Sequence, residues 1–149
     1  MTSAEDLGPQ LSGRLAYLFK HVLLDLEDLH VEHLGPSGVN ARELTVLLFL
    51  DGREPESQQQ AAVNLGVDRT TMVALLDALE SKGLVARQAD AGDRRRNVVG
   101  LTDAGRRALG TAKAASDEAE RRLLAGLDES EARELRRLLS RVAARPRRS

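Results

Sequence analysis

The chain has 149 residues, no cysteine, and 22 basic against 23 acidic residues, which gives a formal net charge of −1. A chain of this length can bury roughly 70% of its unfolded surface, so one domain over residues 1–149 needs no disulfide or metal to fold. The lack of cysteine excludes a disulfide scaffold, a thiolate metal site and a cysteine nucleophile. The longest apolar run, 46–50, is too short to span a bilayer, and the acidic N-terminus is unlike a signal peptide. We therefore expect a cytoplasmic protein without membrane contact.

The charge is unevenly distributed along the chain. Residues 1–34 contain two basic and six acidic side chains, whereas residues 82–107 contain seven basic and three acidic ones, so the balance changes from −4 to +4. This asymmetry favours a polyanionic partner for one part of the molecule. A solvated surface is the alternative explanation of a charge run, and the position of the arginines in the fold decides between the two.

The spacing of apolar residues predicts a mostly helical protein. Leucine and valine recur at steps of three and four over 11–29, which predicts a long first helix that ends near Gly35. Asn40 and Glu43 have the spacing of a capping pair and predict a second helix that runs to about Gly52.

Two shorter helices are predicted next. Ser57 and Gln60 repeat the capping pattern and start a third helix, which Gly66 closes. Asp68 caps a fourth helix, which Gly83 ends. Two capped helices around a three-residue turn form a candidate helix-turn-helix, in which the second helix enters the major groove of DNA.

Two short strands, 84–88 and 97–101, are predicted after the fourth helix and form a β-hairpin. Its tip carries three consecutive arginines, Arg94, Arg95 and Arg96. A hairpin beside a helix-turn-helix can reach an adjacent minor groove, where narrow A·T stretches attract arginine. The position of these arginines therefore favours DNA over a solvated loop.

Two further helices complete the predicted fold. Thr102 caps a fifth helix that is expected to reach about Ala125, and Asp128 with Glu131 starts a sixth. The sixth helix has one apolar stripe, formed by Ala132, Leu135, Leu138, Leu139 and Val142.

The segment 57–85 resembles the winged helix-turn-helix of the MarR family of transcriptional regulators, and Asp93–Arg95 with Leu101–Gly105 is similar to that family's wing and next helix. The resemblance implies a mostly α fold with a small β-hairpin wing, six helices and an intertwined homodimer. It implies binding of double-stranded DNA, as a repressor on a pseudo-palindromic operator. It also divides the single domain into a helical dimerisation region, 10–34 and 103–145, and a DNA-binding lobe, 40–101.

The resemblance also implies the residues that contact DNA. Arg69, Thr70 and Thr71 match the DNA-facing first turn of the family's recognition helix. Val73 and Ala74 depart from the pattern, because many relatives carry a hydroxyl and an arginine there, and small apolar groups can touch a thymine methyl but cannot bond to guanine. The full implied set is Ser57, Gln58, Gln59, Arg69, Thr70, Thr71, Val73, Ala74, Asp93, Arg94, Arg95 and Arg96.

The expected roles within this set differ. Ser57 caps its helix, contacts a phosphate, or does both, and Gln58 and Gln59 are further phosphate candidates. Asp93 is expected to orient Arg95 into the minor groove, as an Asp-x-Arg pair does in the family. Arg94 and Arg96 are expected to contact the DNA backbone. The residues expected on the buried side of the recognition helix are Met72, Leu75 and Leu79.

A small-molecule effector is a further implication of the resemblance, whereas no cofactor is expected. Many members of the family are released from DNA by aromatic or other anionic effectors, and Arg42 with Tyr17 or Phe19 would border such a pocket.

The arginines of the last helix are not assigned to DNA, because they also suit the negative end of the helix dipole; they are Arg133, Arg136, Arg137 and Arg141.

A metal site and an enzyme are both weaker interpretations. Glu27, His30 and His33 share one helix face and have ligand types that zinc accepts, but zinc-sensing relatives also use histidines of the fifth helix, which this chain lacks. A solvated or interface role for the histidines is favoured. An enzyme is not expected, since no nucleophile–base arrangement is evident.

A different class of function stays open beside DNA binding. A winged-helix module can keep its fold for dimerisation or protein contacts after losing specific DNA readout. The apolar Val73 and Ala74 support this alternative, and the arginine-rich hairpin tip argues against it.

Overall fold

The computed structural model describes residues 8–93, 95 and 97–144. The chain divides into two compact units, of which one comprises the described residues of Met1–Leu29 and Ala119–Ser149 and the other His30–Glu118. The elements in chain order are α1 Leu15–Leu34, a 3₁₀ helix Gly35–Ser37, α2 Ala41–Leu50, β1 Glu56–Ser57, α3 Gln58–Leu65, α4 Arg69–Ser81, β2 Val85–Ala89, β3 Asn97–Leu101, α5 Asp103–Leu123 and α6 Glu129–Ala143. The predicted six helices and hairpin are confirmed over the described part of the chain.

Two helices begin with complete capping boxes, as predicted. In α2 the Asn40 side chain accepts the Glu43 backbone N–H at 2.9 Å, and the Glu43 carboxylate accepts the Asn40 N–H at 3.0 Å. In α6 Asp128 and Glu131 make the same reciprocal pair at 2.8 and 3.0 Å. Each box satisfies two of the backbone donors that a helix N-terminus leaves without an intrahelical partner.

The third helix has a single cap instead of a box. Ser57 Oγ accepts the Gln60 N–H at 3.1 Å, which confirms the cap. The Gln60 side chain, however, donates to Asn64 Oδ1 at 3.3 Å, one turn further along the helix. The cap therefore depends on the serine alone.

The first helix begins later than its apolar spacing predicted. Leu11 lies in a turn segment, and α1 begins at Leu15. Gly8 has a φ of 82°, and it accepts the Ser12 N–H at 3.0 Å, so a turn replaces the first predicted helical turn. At its other end α1 stops at Leu34, in agreement with the predicted Gly-Pro stop, and Pro36 lies in the 3₁₀ turn that follows.

The sheet has three antiparallel strands in the order β1-β3-β2, one more than predicted. β2 begins at Val85 and pairs with Leu101 of β3, one residue later than expected. The additional strand pairs Ser57 with Val98 on the other edge of β3. The half of β3 that is nearer the hairpin tip is thus joined to the residue that caps α3.

In the core of the second unit, α4 buries a partly different set of side chains from the one predicted. Met72 and Leu79 are buried, as expected, but the third buried position is Leu76, whereas Leu75 is half-buried. At 100° per residue, positions 72, 76 and 79 fall on one narrow face and position 75 at its flank. The remaining buried apolar residues of this core are Leu34, Val39, Leu44, Val46, Leu47, Leu50, Ala61, Ala62, Val85, Val99, Leu109 and Ala112.

The start of α5 packs closely on the chain that leads into β2. Thr102 Oγ1 accepts the Gly105 N–H at 3.0 Å, which confirms the predicted cap, and it donates to the Gly83 carbonyl at 2.6 Å. A Cβ at Gly105 would overlap the carbonyl oxygen of Leu84. The glycine therefore permits a contact that no larger residue allows.

The unit formed by the chain termini exposes many large apolar side chains in the single chain. They lie on α1 and α6, with further members in the segments beside these helices: Leu11, Leu15, Tyr17, Leu18, Phe19, Val22, Leu23, Leu24, Leu127, Leu138, Leu139 and Val142. Among the described residues, no helix is long and apolar enough to cross a bilayer.

Candidate nucleic-acid interface

A tight turn between α3 and α4 positions the candidate recognition helix. Gly66 ends α3 in the left-handed region with a φ of 66°, a conformation that glycine adopts without strain. The next N–H, of Val67, bonds to the Ala62 carbonyl at 3.1 Å. Asp68 then caps α4, so a three-residue turn separates the two helices, as in a helix-turn-helix.

The outward face of α4 carries four of the predicted contact residues. Met72 and Leu76 fix the buried side of the helix, and the exposed residues of the first half of α4 are Arg69, Thr70, Val73 and Ala74. The first two offer hydrogen-bond donors, whereas the other two offer only methyl groups to a partner. The chemistry of the face therefore changes from polar to apolar within one turn.

The hydroxyl of Thr71 is bonded to the residue that caps α4. It donates to Asp68 Oδ2 at 2.8 Å, while Asp68 Oδ1 accepts the Thr71 backbone N–H at 2.7 Å. These two bonds lower the pKa of the Asp68 carboxyl below its ordinary value of 3.8, the backbone bond having the larger effect. The Asp68 carboxylate is therefore ionised at neutral pH while it caps the start of α4. The Thr71 hydroxyl would have to break its bond to Asp68 before it could donate to a phosphate.

The start of α3 places the other helical candidates side by side. Ser57 is buried at 8% exposure and is committed to its cap. Gln58 is half-buried and Gln59 is exposed. A phosphate at this helix N-terminus would accept hydrogen bonds from backbone N–H groups and from the Gln59 side chain. Helix N-termini favour the binding of anions in this way.

The tip of the hairpin is ordered by two aspartates. Asp90 Oδ1 accepts the Gly92 N–H at 3.1 Å, and Asp93 Oδ1 accepts the Arg95 N–H at 3.0 Å. Asp93 is thus linked to Arg95 through the backbone N–H of Arg95, and Arg95 itself is exposed. The predicted contacts Arg94 and Arg96 lie outside the described residues.

Arg87 fastens the hairpin to α4. Its Nη1 lies 2.7 Å from Asp77 Oδ1 and 3.6 Å from Glu80 Oε1, and its Nη2 donates to the Val73 carbonyl at 3.4 Å. Its Nε is buried and has no hydrogen-bond partner among the described residues. Sequence reasoning counted Arg87 as part of a basic surface, whereas the fold uses it to hold β2 against the recognition helix.

Lys82 links the other end of α4 to the start of α2. Its Nζ lies 2.9 Å from both carboxylate oxygens of Glu43 and 2.8 Å from the Gly38 carbonyl. Glu43 is only 2% exposed, so this cation and the capping N–H of Asn40 are the partners that compensate for the burial of its carboxylate. The two ion pairs therefore hold the C-terminal half of the recognition helix, one to the hairpin and the other to α2.

The basic stretch 82–107 is thus partly neutralised inside the chain. Lys82 and Arg87 pair as described, and Arg106 pairs with Asp103 at 2.8 Å. Of the described cations in this stretch, Arg95 is the one at the hairpin tip. The sequence count exaggerated the positive surface, because the acids that neutralise two of these cations lie outside the counted stretch.

A cavity of about 430 Å³ lies in the same unit, between α2 and the N-terminal half of α4. Arg42 borders it, but neither Tyr17 nor Phe19 does, so this cavity differs from the effector pocket expected beside the first helix. The lining is Arg42, Thr45, Val46, Leu65, Gly66, Val67, Asp68, Thr71, Met72 and Leu75.

One of the two histidines considered as metal ligands, His30, has a partner within the protein. His30 Nε2 lies 3.0 Å from Ser116 Oγ. Over the residues that the structure describes, no group of three or more histidine, aspartate or glutamate side chains is close enough to hold a metal ion.

The arrangement of a capped helix-turn-helix, a following two-stranded wing and a supporting third strand defines a winged helix-turn-helix protein. A family model described as "MarR family" matches residues 37–96. A structure of the transcriptional repressor CouR bound to a 23-mer DNA duplex is 33% identical, with a TM-score of 0.84, and the match covers 90% of this chain and 95% of that one. A MarR family transcriptional regulator from Rhodococcus sp. RHA1 is 30% identical, with a TM-score of 0.82 and coverage of 90% and 95%.

A second CouR structure, from Rhodococcus jostii RHA1 and bound to p-coumaroyl-CoA, is 29% identical with a TM-score of 0.78 and covers 93% of this chain and 97% of that one. A comparison with curated proteins found no match. The chain belongs to the MarR family of winged-helix, DNA-binding transcription regulators, which confirms the resemblance and the fold class inferred from the sequence.

Proposed function

We propose that the chain is a sequence-specific, ligand-responsive repressor that binds a pseudo-palindromic operator as a homodimer. The observation that carries the proposal is the exposed face of α4, with Arg69, Thr70 and Val73 outward, fastened through Arg87 to the hairpin that bears Arg95. A rigid link between these two parts lets one occupy a major groove and the other the neighbouring minor groove. The DNA-bound CouR structure supports this assignment by likeness.

The contacts have different tasks in this proposal. Arg69 and the N-terminus of α3, with Gln58 and Gln59, bind phosphates and set the register of the protein on the duplex. Thr70 and the following turn of α4 face base edges, and Arg95 enters the minor groove, with Arg94 and Arg96 on the backbone. Asp93 contributes indirectly by ordering the tip.

Dimerisation accounts for the exposed apolar side chains of α1 and α6. Contiguous apolar surface of this kind marks an interaction site on a protein. A second copy of the chain is the occupant that a pseudo-palindromic operator requires, because two-fold symmetry in the protein mirrors that of the DNA. We assign 10–34 and 103–145 to the dimerisation region and 40–101 to the DNA-binding lobe.

Selection of bound sequences from random duplex DNA with the purified chain tests the proposal. We expect an inverted repeat whose half-sites are about one helical turn apart, ~10 bp between centres. Affinity for the selected operator should fall steeply as salt rises, because each phosphate contact releases condensed counterions. Recovery of no enriched sequence together with a flat salt response would favour the protein-interaction module instead.

The ligand-responsive part of the proposal rests on the cavity beside α4. Its volume of about 430 Å³ is within the range of small-molecule sites. Apolar walls from Val46, Val67 and Leu75 suit the apolar body of a small organic anion, whose charged group would have to pair with Arg42 and avoid the Asp68 carboxylate in the same lining. An occupant would lie against Asp68 and Thr71, so it would act on the cap that starts the recognition helix.

The test of this site is release of the operator by a panel of small aromatic and aliphatic carboxylates. We expect Arg42→Gln to raise the ligand concentration needed for half-release. Arg53→Gln is the matched control, because the Arg53 guanidinium lies over the Phe49 ring, 4.3 Å from its centroid, and not at the cavity. Equal shifts in the two variants, or no shift in either, would remove the cavity from the mechanism.

A further inference from the structure

The middle of the outward α4 face presents little hydrogen-bonding capacity to DNA. Val73 is 37% exposed, and its own carbonyl accepts from Arg87 Nη2 at 3.4 Å. The next polar residue on this face is Asp77, whose Oδ1 lies 2.7 Å from Arg87 Nη1. The carboxylate that follows Val73 along the helix is therefore already paired within the protein.

The pairing of Asp77 affects which bases this turn can distinguish. An unpaired carboxylate in the major groove accepts from the exocyclic amine of cytosine. Arg87 binds Asp77 Oδ1 and neutralises the charge of the carboxylate, which weakens Asp77 as an acceptor for the cytosine amine. Val73 and Ala74, whose side chains have no donor or acceptor, are the exposed groups that remain on this turn, and Val73 has the larger apolar side chain.

Thymine is the base that such a group distinguishes. Its C5 methyl projects into the major groove and is the largest apolar group there, since cytosine has only a C5–H at that place and the purine edges present mainly hydrogen-bond donors and acceptors. A valine against a donor or acceptor would leave that group without a partner, which is unfavourable when water is excluded. A valine against the thymine methyl buries apolar surface on both sides.

We propose that Val73 is a specificity-determining residue, which selects a thymine in each operator half-site through its C5 methyl group. The inference rests on the proposed function, because it requires α4 to occupy the major groove. It predicts that the half-site position facing Val73 is fixed as A·T, with the thymine on a defined strand.

Deoxyuridine tests the contact directly, because it differs from thymidine by the methyl group alone. Each thymine of the selected operator is replaced in turn by deoxyuridine, at the same place in both half-sites, and the dissociation constant is measured at fixed salt. At one position we expect a loss of about fourfold per half-site, or about fifteenfold for the symmetric pair, on the basis of one buried methyl on each side. Replacement at positions that do not face Val73 should have little effect.

The variant Val73→Ala tests whether Val73 is the residue that contacts the thymine methyl group. This variant should bind the thymine operator more weakly than the unaltered chain does, and its affinity should no longer depend on the methyl at the sensitive position. Val63→Ala is the matched control: Val63 is 68% exposed but lies on α3, so this variant should keep the full deoxyuridine penalty.

The outcomes separate the inference from the proposed function. Tight, selective binding with no sensitive thymine in the half-site overturns the inference and leaves the proposed function intact. A sensitive thymine whose penalty persists in Val73→Ala also overturns it, because another group must then contact the methyl. Failure to bind any selected duplex overturns both.

Discussion

Replacement of Gly105 by alanine is expected to destabilise the folded chain by about 1–3 kcal/mol, the range typical of an added methyl in a site without room for it. The new Cβ would overlap the carbonyl oxygen of Leu84, which is backbone and cannot move away as a flexible side chain could. Relief of this clash would separate α5 from the chain before β2 and weaken the Thr102 cap. Unfolding in urea, followed by circular dichroism, measures the change.

A second glycine in the same helix provides the control. Gly110 lies within α5, and a Cβ there has no atom within 4 Å. Gly110→Ala should therefore raise the free energy of unfolding by about 0.5–1 kcal/mol, through the lower conformational entropy cost of alanine in a helix. If both variants were stabilised, the close packing at Gly105 would not exist in solution.

The replacement Arg95→Ala should weaken operator binding by about 1–3 kcal/mol if the arginine contacts a base edge or the minor groove. The Arg95 side chain is exposed at the tip, and its backbone N–H is fixed by Asp93 at 3.0 Å, so the alteration removes the contact group without disturbing the tip. Equilibrium binding to the selected operator at one salt concentration measures the loss.

Two further variants make the Arg95 result interpretable. Arg133→Ala removes an equal charge from the exposed face of α6, to which no DNA contact is assigned, and it should bind nearly as the unaltered chain does. Asp93→Ala should produce a smaller loss than Arg95→Ala, since it loosens the tip and retains the arginine. Equal losses in Arg95→Ala and Arg133→Ala would mean that net charge, and not the wing, determines affinity.

Local signals predicted most of the helical framework. Asn40, Asp68 and Asp128 were recognised as caps because each bonds to a backbone N–H three residues ahead, an interaction contained in one turn. The same locality explains the hairpin prediction. β1 was missed because its two residues become a strand only by pairing with β3, about forty residues later in the chain.

The charged contacts of the site could not be predicted from local sequence. Lys82 pairs with Glu43, and Arg87 pairs with Asp77, across 39 and 10 residues of sequence respectively. A basic stretch in a sequence does not show which of its cations has an acid nearby in space. The burial of Leu76 in place of Leu75 has a related cause, since the exact rotation of α4 is set by the elements packed on it.

The free end of the hairpin has a consequence for engineering this family of folds. Strand pairing ends at Ala89 and Asn97, whereas β3 is held on its other edge by β1 and β2 is held by Arg87. Insertions beyond Ala89 would lengthen the arm by about 3.3 Å per added residue in each strand, without touching the core. The reach of the protein along a duplex is therefore adjustable independently of the bases that its recognition helix selects, and chimaeric arms offer a route to regulators with altered footprint length.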